Sequence, residues 1–249
     1  MSLLQIESAS ISFGGVQALS DIWFSVNEGE RRAIVGPNGA GKSTLFNVIG
    51  GQLRPSSGKI LFRDRNIATL PVYARAQAGL ARTWQITNLF DPLSVYECIQ
   101  IAIASKGTHR RVFWRSLDSY TGIRAATEAL LTEWELWEIR DKPVQDLAYG
   151  QQRLLEIVVA LSGNPVLLLM DEPTAGLSPT EAERLTDLIR QLPNTMTLII
   201  IEHDMAVAYA LAQTMTVLSL GRVLAQGPID EVRANPEVVE VYLGSDSDN

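Results

Sequence analysis

Nine consecutive residues constrain this chain more than any others: Gly36-Pro37-Asn38-Gly39-Ala40-Gly41-Lys42-Ser43-Thr44. They fit the pattern G-x-x-x-x-G-K-[ST], in which glycines let the backbone curl so that several N–H groups point at one anion. A helix opening directly afterwards adds its positive end. In this pattern the lysine reaches the β- and γ-phosphates and the following hydroxyl ligates Mg²⁺. Chance alone would produce the pattern in roughly one chain in a hundred of this length at average composition. Context decides against a plain glycine-rich turn. Arg31-Arg32-Ala33-Ile34-Val35 reads as a strand running into the loop, and Ser43 to Ile49 reads as the helix leaving it.

Around this unit the chain alternates. Ile11-Ser12-Phe13 and Ile22-Trp23-Phe24-Ser25-Val26 are β-favouring segments separated by a Gly14-Gly15 turn. Pro55-Ser56-Ser57-Gly58 reads as a turn and Lys59-Ile60-Leu61-Phe62 as a strand. From about Ser94 to Ser162 the spacing is mostly helical, with apolar residues near a 3.6 period at Ala125–Leu131 and Leu154–Leu161. Buried strands at Val166–Met170 and Met196–Ile201 flank a helix from about Thr180 to Leu192, which predicts a parallel sheet covered by helices. Thr214–Gln226 predicts a hairpin turning at Gly221. Asn235 is placed to cap a last helix begun by Pro236 and Glu237, before a polar tail from Ser245 to Asn249 expected to fray. The helical middle is therefore expected as an insertion into an α/β core.

Two strand ends carry further chemistry. Leu167-Leu168-Leu169-Met170 runs into Asp171-Glu172. After a phosphate loop, Asp171 is the expected acidic partner of nucleotide-bound Mg²⁺, and Glu172 is placed to polarise an attacking water. Without that loop, two carboxylates capping a strand would be the simpler reading. Only two histidines exist, His109 in the helical region and His203 just past Ile199-Ile200-Ile201-Glu202. A strand-end position, at the edge where ligands gather in such sheets, marks His203 as a donor to the γ-phosphate or the water.

Composition excludes other classes. Of the 249 residues 46% are hydrophobic and 20% charged, as expected of a globular chain. The single cysteine, Cys98, rules out a disulfide scaffold and reads as a small buried residue. The net charge of −7 argues against a free-standing nucleic-acid binder. No apolar run approaches the ~18 residues of a spanning helix, and the first residues lack a basic flank, so a cytoplasmic location is expected with any membrane role arising through partners.

Taken in order, these residues resemble the ATP-binding-cassette (ABC) ATPases from about Leu4 to Gly244. The resemblance implies an α/β fold. Its elements are a P-loop NTPase (RecA-like) core, an N-terminal antiparallel β subdomain and an inserted α-helical subdomain. It implies one nucleotide-binding domain over 1–249, with the core and β subdomain in about 1–85 and 164–249 and the helical subdomain in 86–163. By resemblance Phe13 stacks on adenine, and Gln85 contacts Mg²⁺ together with Ser43 and Asp171 while facing the permease. Leu147-Ala148-Tyr149-Gly150-Gln151-Gln152 lies at the signature motif, Ala175-Gly176-Leu177-Ser178 at the dimer-facing loop, and Glu172 and His203 at the catalytic glutamate and switch histidine. ATP and Mg²⁺ are the implied ligands. The signature motif, here Ala148, Tyr149, Gly150 and Gln151, is implied to contact ATP on a second cassette. Identical or related chains would then pair head to tail. Two departures stand out: Ala148 and Tyr149 replace the usual serine and first glycine, and Ser178 stands where an acid or amide is common. Losing the serine hydroxyl removes one hydrogen bond to the γ-phosphate, worth on the order of 1 kcal/mol. Lys42, Asp171, Glu172 and His203 are untouched.

The departures resemble one branch, the ATPases of branched-chain amino acid uptake. Phe13–Leu19, Ala81–Gln85, Leu147–Ile157, Ile201–Met205 and Asn235–Gly244 carry that likeness, and Val112-Phe113-Trp114-Arg115 fits the longer, LivG-type subunit. The resemblance implies a bacterial importer with a second ATPase subunit, two transmembrane permease subunits, a substrate-binding protein reached indirectly, and no nucleic acid. The chain would sit peripherally on the cytoplasmic face of the inner membrane. A urea or short-amide importer is the alternative cargo reading. A nucleic-acid or ribosome remodeller, a small-molecule kinase and a non-catalytic ATP-gated scaffold use these motifs less well. Lys106, Arg110, Arg111 and Arg115 form a basic run suited to lipid headgroups, a permease loop or plain solvation. Leu89-Phe90-Asp91-Pro92-Leu93 is apolar for a loop and by resemblance receives a permease helix. Trp134 and Trp137, three apart, are expected on one helix as packing residues.

Overall fold

The computed structural model describes residues 2–83, 91–106 and 117–245. Strands β1 (Ser2–Phe13) and β2 (Val16–Asn27) form a long hairpin closed by Gly14 and Gly15, both at positive φ. β1 also pairs antiparallel with β4 (Ser57–Phe62), and β4 with β5 (Arg65–Asn66), giving a four-stranded sheet in the order β2-β1-β4-β5. The turn expected at Pro55–Gly58 is shorter than its sequence suggests, because Ser57 and Gly58 already belong to β4.

The second sheet has six strands in the order β10-β9-β3-β8-β7-β6. β3 (Arg31–Val35), β6 (Leu80–Arg82), β7 (Leu167–Asp171), β8 (Thr197–Ile201) and β9 (Thr214–Ser219) run parallel, and β10 (Arg222–Pro228) returns antiparallel to β9. The central strands β3, β7 and β8 are buried throughout and largely apolar because both faces are covered. Alternation divides each between two cores. Leu167, Leu169, Ile199 and Ile201 pack with α1 (Lys42–Gly50) and the antiparallel sheet. Leu168, Met170, Leu198 and Ile200 pack with residues of α3 (Val95–Lys106), α5 (Tyr149–Leu161) and α6 (Pro179–Arg190).

Between β6 and β7 lie α3, α4 (Thr121–Glu133) and α5, the helices expected as an insertion. α2 (Val72–Gln77) precedes β6. From it Arg75 reaches the last carbonyls of α1, donating to Val48 O at 2.7 Å and Ile49 O at 2.6 Å. That bond pair satisfies acceptors a helix end leaves open, and burial pulls the Arg75 guanidinium down to about 10. α7 (Met205–Leu211), α8 (Ile229–Arg233) and α9 (Pro236–Ser245) complete the chain. Asn235 caps α9 as expected, its Oδ1 accepting from Glu237 N at 2.9 Å. The two tryptophans do not share a helix. Trp134 is the buried residue that ends α4, whereas Trp137 stands half exposed in a later turn with Arg140 over its ring at 4.3 Å. The chain turns between them at Glu135, whose φ is +56°.

Candidate functional site

Register places the site. Ile34 of β3 pairs with Ile201 of β8, and Asp171 of β7 pairs with Ile201 from the other side. Strands spaced about 4.8 Å apart and in step therefore release their next residues along one edge: Gly36 onward, Glu202-His203 and Glu172. This is the carboxyl edge at which parallel sheets bind ligands. β8 sits in the middle, so His203 emerges between the glycine-rich loop and Glu172.

The loop from Gly36 to Gly41 is held by close backbone packing. A Cβ on Gly36 would lie 2.2 Å from Leu218 O, and one on Gly41 2.8 Å from Ala18 O. Both glycines also have positive φ, so no other residue fits either place without strain. Lys42 is buried, and its Nζ donates to Gly36 O at 2.6 Å and Pro37 O at 3.0 Å. Burial lowers its pKa, while Glu172 and Asp171 pull it back upward. Asn38, Gly39 and Ser43 are exposed, Pro37 and Thr44 half-buried, and Ala40 buried. Ala18, against Gly41, brings the end of the β1–β2 hairpin to the loop. Phe13, exposed and paired with Val16 at that end, presents a free ring there.

On β7, Asp171 is buried and ion-paired with Arg82 of β6 at 3.0 Å. Burial raises the Asp171 carboxyl above its usual range, and Arg82 opposes that rise. Arg82 also donates to Asn47 Oδ1 of α1 at 2.7 Å. Glu172 follows with φ +47°, a left-handed conformation uncommon for a glutamate, and its N–H donates to Ile201 O at 2.9 Å. Its Oε1 lies 2.6 Å from His203 Nε2. A carboxylate and an imidazole so close form a hydrogen-bonded pair at the mouth of a groove between α6 and α7.

Glu202, buried beneath His203, accepts from Thr174 Oγ1 at 2.8 Å and from His203 N at 3.2 Å. It thus ties the segment after Glu172 to the segment carrying the histidine. Burial raises its pKa, against the bonds it accepts from Thr174 and from the backbone.

The Ala148–Gln151 segment opens α5. Ala148 is its N-cap and has no side-chain acceptor, so only the reciprocal half of a capping box forms, Gln151 Oε1 taking Ala148 N–H at 3.2 Å. Tyr149 Oη donates to Ala175 O at 3.3 Å, and a Cβ on Gly176 would meet the tyrosine ring at 3.1 Å. Among the described residues no hydrogen bond joins Ala148–Gln151 to Gly36–Thr44; the first group packs on the 175–181 stretch. Ser178 caps α6 in a complete box with Glu181, accepting from Glu181 N and donating to its Oε2. Serine, aspartate and asparagine all serve as N-caps, so this departure preserves the local structure.

Gln85 lies outside the described residues, as do Leu89 and Phe90, Arg110, Arg111, Arg115 and the Val112–Arg115 stretch. Among the described residues no cluster of three or more His, Cys, Asp or Glu could hold a metal by itself. The hydroxyl of Ser43 and the carboxylate of Asp171 are hard oxygen donors, few in number. That fits Mg²⁺, which keeps waters and shares substrate phosphates instead of filling an all-protein cage.

Sequence reasoning missed Arg82, Arg153 and Glu202. Arg82 lies inside a motif read for Gln85 alone. Arg153 and Glu202 each place a charge beside an otherwise apolar run, the one signal that could have found them.

Residues 19–175 match the ABC transporter family, and residues 222–248 match the branched-chain amino acid ATP-binding cassette transporter family. LivG of Salmonella typhimurium, a high-affinity branched-chain amino acid transport ATP-binding protein, is 36% identical over 250 residues, covering 97% of this chain and 98% of its own. BraF of Pseudomonas aeruginosa, with the same description, is 34% identical over 254 residues, again 97% and 98%. The ADP conformation of MJ1267, an ATP-binding cassette of an ABC transporter, superposes with a TM-score of 0.85 at 31% identity, covering 98% of this chain and 99% of that one. With a phosphate loop, an acidic strand end and a histidine on one sheet edge, the chain belongs to the ABC transporter family, as an ATP-binding cassette of the LivG type.

Proposed function

We propose that this chain is the ATP-hydrolysing subunit of an importer that takes up branched-chain or other neutral amino acids through separate permease subunits. The observation that carries the proposal is the Glu172–His203 pair at 2.6 Å, beside Asp171 and the Lys42 loop, in a chain alike to LivG over 97% of its length. LivG and BraF are named for branched-chain amino acid transport, which supports the cargo class. A relative of 31% identity serves lipopolysaccharide export, so the cargo assignment rests on the higher identity to LivG and on the match at 222–248.

The residues divide the work as follows. Phe13 takes the adenine face, and the N–H groups of Gly36–Thr44 take the phosphates. Lys42, released from Gly36 O and Pro37 O, turns to the β- and γ-phosphates. Ser43 and Asp171, with Gln85, hold Mg²⁺, which neutralises charge on the phosphates when bound. Glu172 orients and activates water, and the His203 N–H that meets Glu172 Oε1 in the free site turns to donate to the γ-phosphoryl oxygen. The segment Ala148–Gln151 offers its backbone N–H groups and the positive end of α5 to ATP held by a second cassette, identical or related, paired head to tail. Residues 86–163 act as the lobe that carries this segment. Cbio1, 30% identical, is described as part of a transporter complex, in keeping with membrane permease partners. No helix among the described residues is long and apolar enough to cross a membrane, which suits a peripheral subunit.

ATPase turnover of the assembled transporter tests the catalytic assignment. Glu172→Gln is expected to bind ATP with unchanged affinity and to lose turnover by about 100-fold or more, the scale of a general base. Hydrolysis near the native rate would remove Glu172 from that role.

A further inference from the structure

Several buried charges near the site, Glu202, Glu156 and Arg153 among them, have no part in the chemistry proposed above. Arg153 of α5 is buried, and its guanidinium spends three of its donors on backbone carbonyls of consecutive residues. Nη2 donates to Asp171 O at 2.6 Å and Glu172 O at 2.9 Å, and Nε to Pro173 O at 3.2 Å. Nη1 meets Glu156 Oε2, one turn along the same helix, at 2.7 Å. The carbonyls it grips flank the left-handed Glu172, the place where β7 ends and the chain must turn.

We infer that Arg153 is a positioning residue for Glu172. It fixes the backbone from which the carboxylate reaches His203, and it does so from the helix that begins at Ala148–Gly150. A left-handed non-glycine residue persists only where its surroundings over-determine it. Here three charge-assisted bonds from a planar, rigid fork do so. Glu202, just past β8, holds the next residue, Thr174, and Tyr149 Oη holds Ala175 O from the tip of α5. The stretch from Asp171 to Ala175 is therefore bonded to α5 at both ends, so a displacement of the tip of α5 is carried to Glu172. On the proposed function, that tip meets the partner cassette's ATP. Arg153 would then let engagement at one nucleotide site set the catalytic carboxylate of the other.

The test uses the assembled transporter and compares native protein with Arg153→Lys and with the pair Arg153→Gln and Glu156→Gln, which avoids leaving Glu156 buried without its cation. Thermal unfolding establishes that each variant folds. Affinity for a non-hydrolysable ATP analogue and the kcat and KM for ATP are then measured. A positioning role predicts analogue affinity and KM within about twofold of native and kcat lower by roughly 100-fold, the cost of a small misplacement of a reacting group. Arg153→Lys, which keeps a charged donor without the fork, should recover part of kcat. Native kcat in the folded double variant would overturn the inference, as would equal losses in affinity and kcat. An inactive native complex would refute the hydrolysis reading beneath it, whatever the variants do.

Discussion

At the residue scale, the site depends on backbone as much as on side chains. Gly36 and Gly41 are there because Leu218 O and Ala18 O leave no room for a Cβ. Glu172 tolerates a left-handed backbone because Ile201 O and Arg153 hold it. Ala148 is the counterexample, an N-cap with nothing to accept a hydrogen bond. Ala148→Ser restores an acceptor for the first free N–H groups of α5 and is expected to raise stability by about 1 kcal/mol, read from thermal or denaturant unfolding. Unchanged or lower stability would mean that the first N–H groups of α5 gain nothing from a side-chain acceptor at this position. Serine at 148 would also return the hydroxyl whose loss the sequence registers.

At the scale of elements, the sheet edge is assembled by pairing β3 with both β8 and β9, and the β2–β3 turn is tied to β9 by Glu30. Burial pushes the Glu30 carboxyl upward. It is outweighed by the bonds it accepts from Asn27 N at 2.8 Å and Thr214 Oγ1 at 2.6 Å, and by Arg32, so the pKa falls below the usual range. A depressed carboxylate stabilises the folded state above the unfolded pKa, near 4.3, and that contribution fades as pH falls through the folded value. Glu30→Gln should therefore be less stable than native by about 1–2 kcal/mol at pH 7, with the gap closing below about pH 4. Denaturant unfolding across that range checks it; a gap independent of pH would assign the effect to packing. The strands themselves were legible in the sequence. β7 and β8 are apolar runs and β3 ends in one, Ala33-Ile34-Val35, and the residues that follow them carry the motifs. The ion pair of Arg82 with Asp171 and the hydrogen bonds of Arg153 to the backbone around Glu172 were not, because they join residues far apart in sequence. No periodicity reports such contacts. Trp134 and Trp137 misled for a related reason, since a helical spacing continues across a turn that only Glu135 at positive φ reveals.

At the scale of the whole molecule, the two sheets and the helices between β6 and β7 meet where the phosphate loop, Glu172 and His203 emerge. The order β3-β8-β7 follows from the topology, and the sequence alone did not give it. What the sequence carried was the set of motifs in order, and Glu172 and His203 stood out there because each lies just past the end of an apolar strand. Cargo is different in kind, since the motifs read in this chain bind nucleotide and none of them selects an amino acid. The most direct test is uptake of labelled leucine, alanine, proline, glutamine and urea by cells lacking this chain, rescued with native protein or with Glu172→Gln. An ATPase that powers neutral amino acid import predicts that the native protein restores leucine or another of the neutral amino acids and the variant restores none. Rescue by the variant, or a response confined to urea, would contradict it.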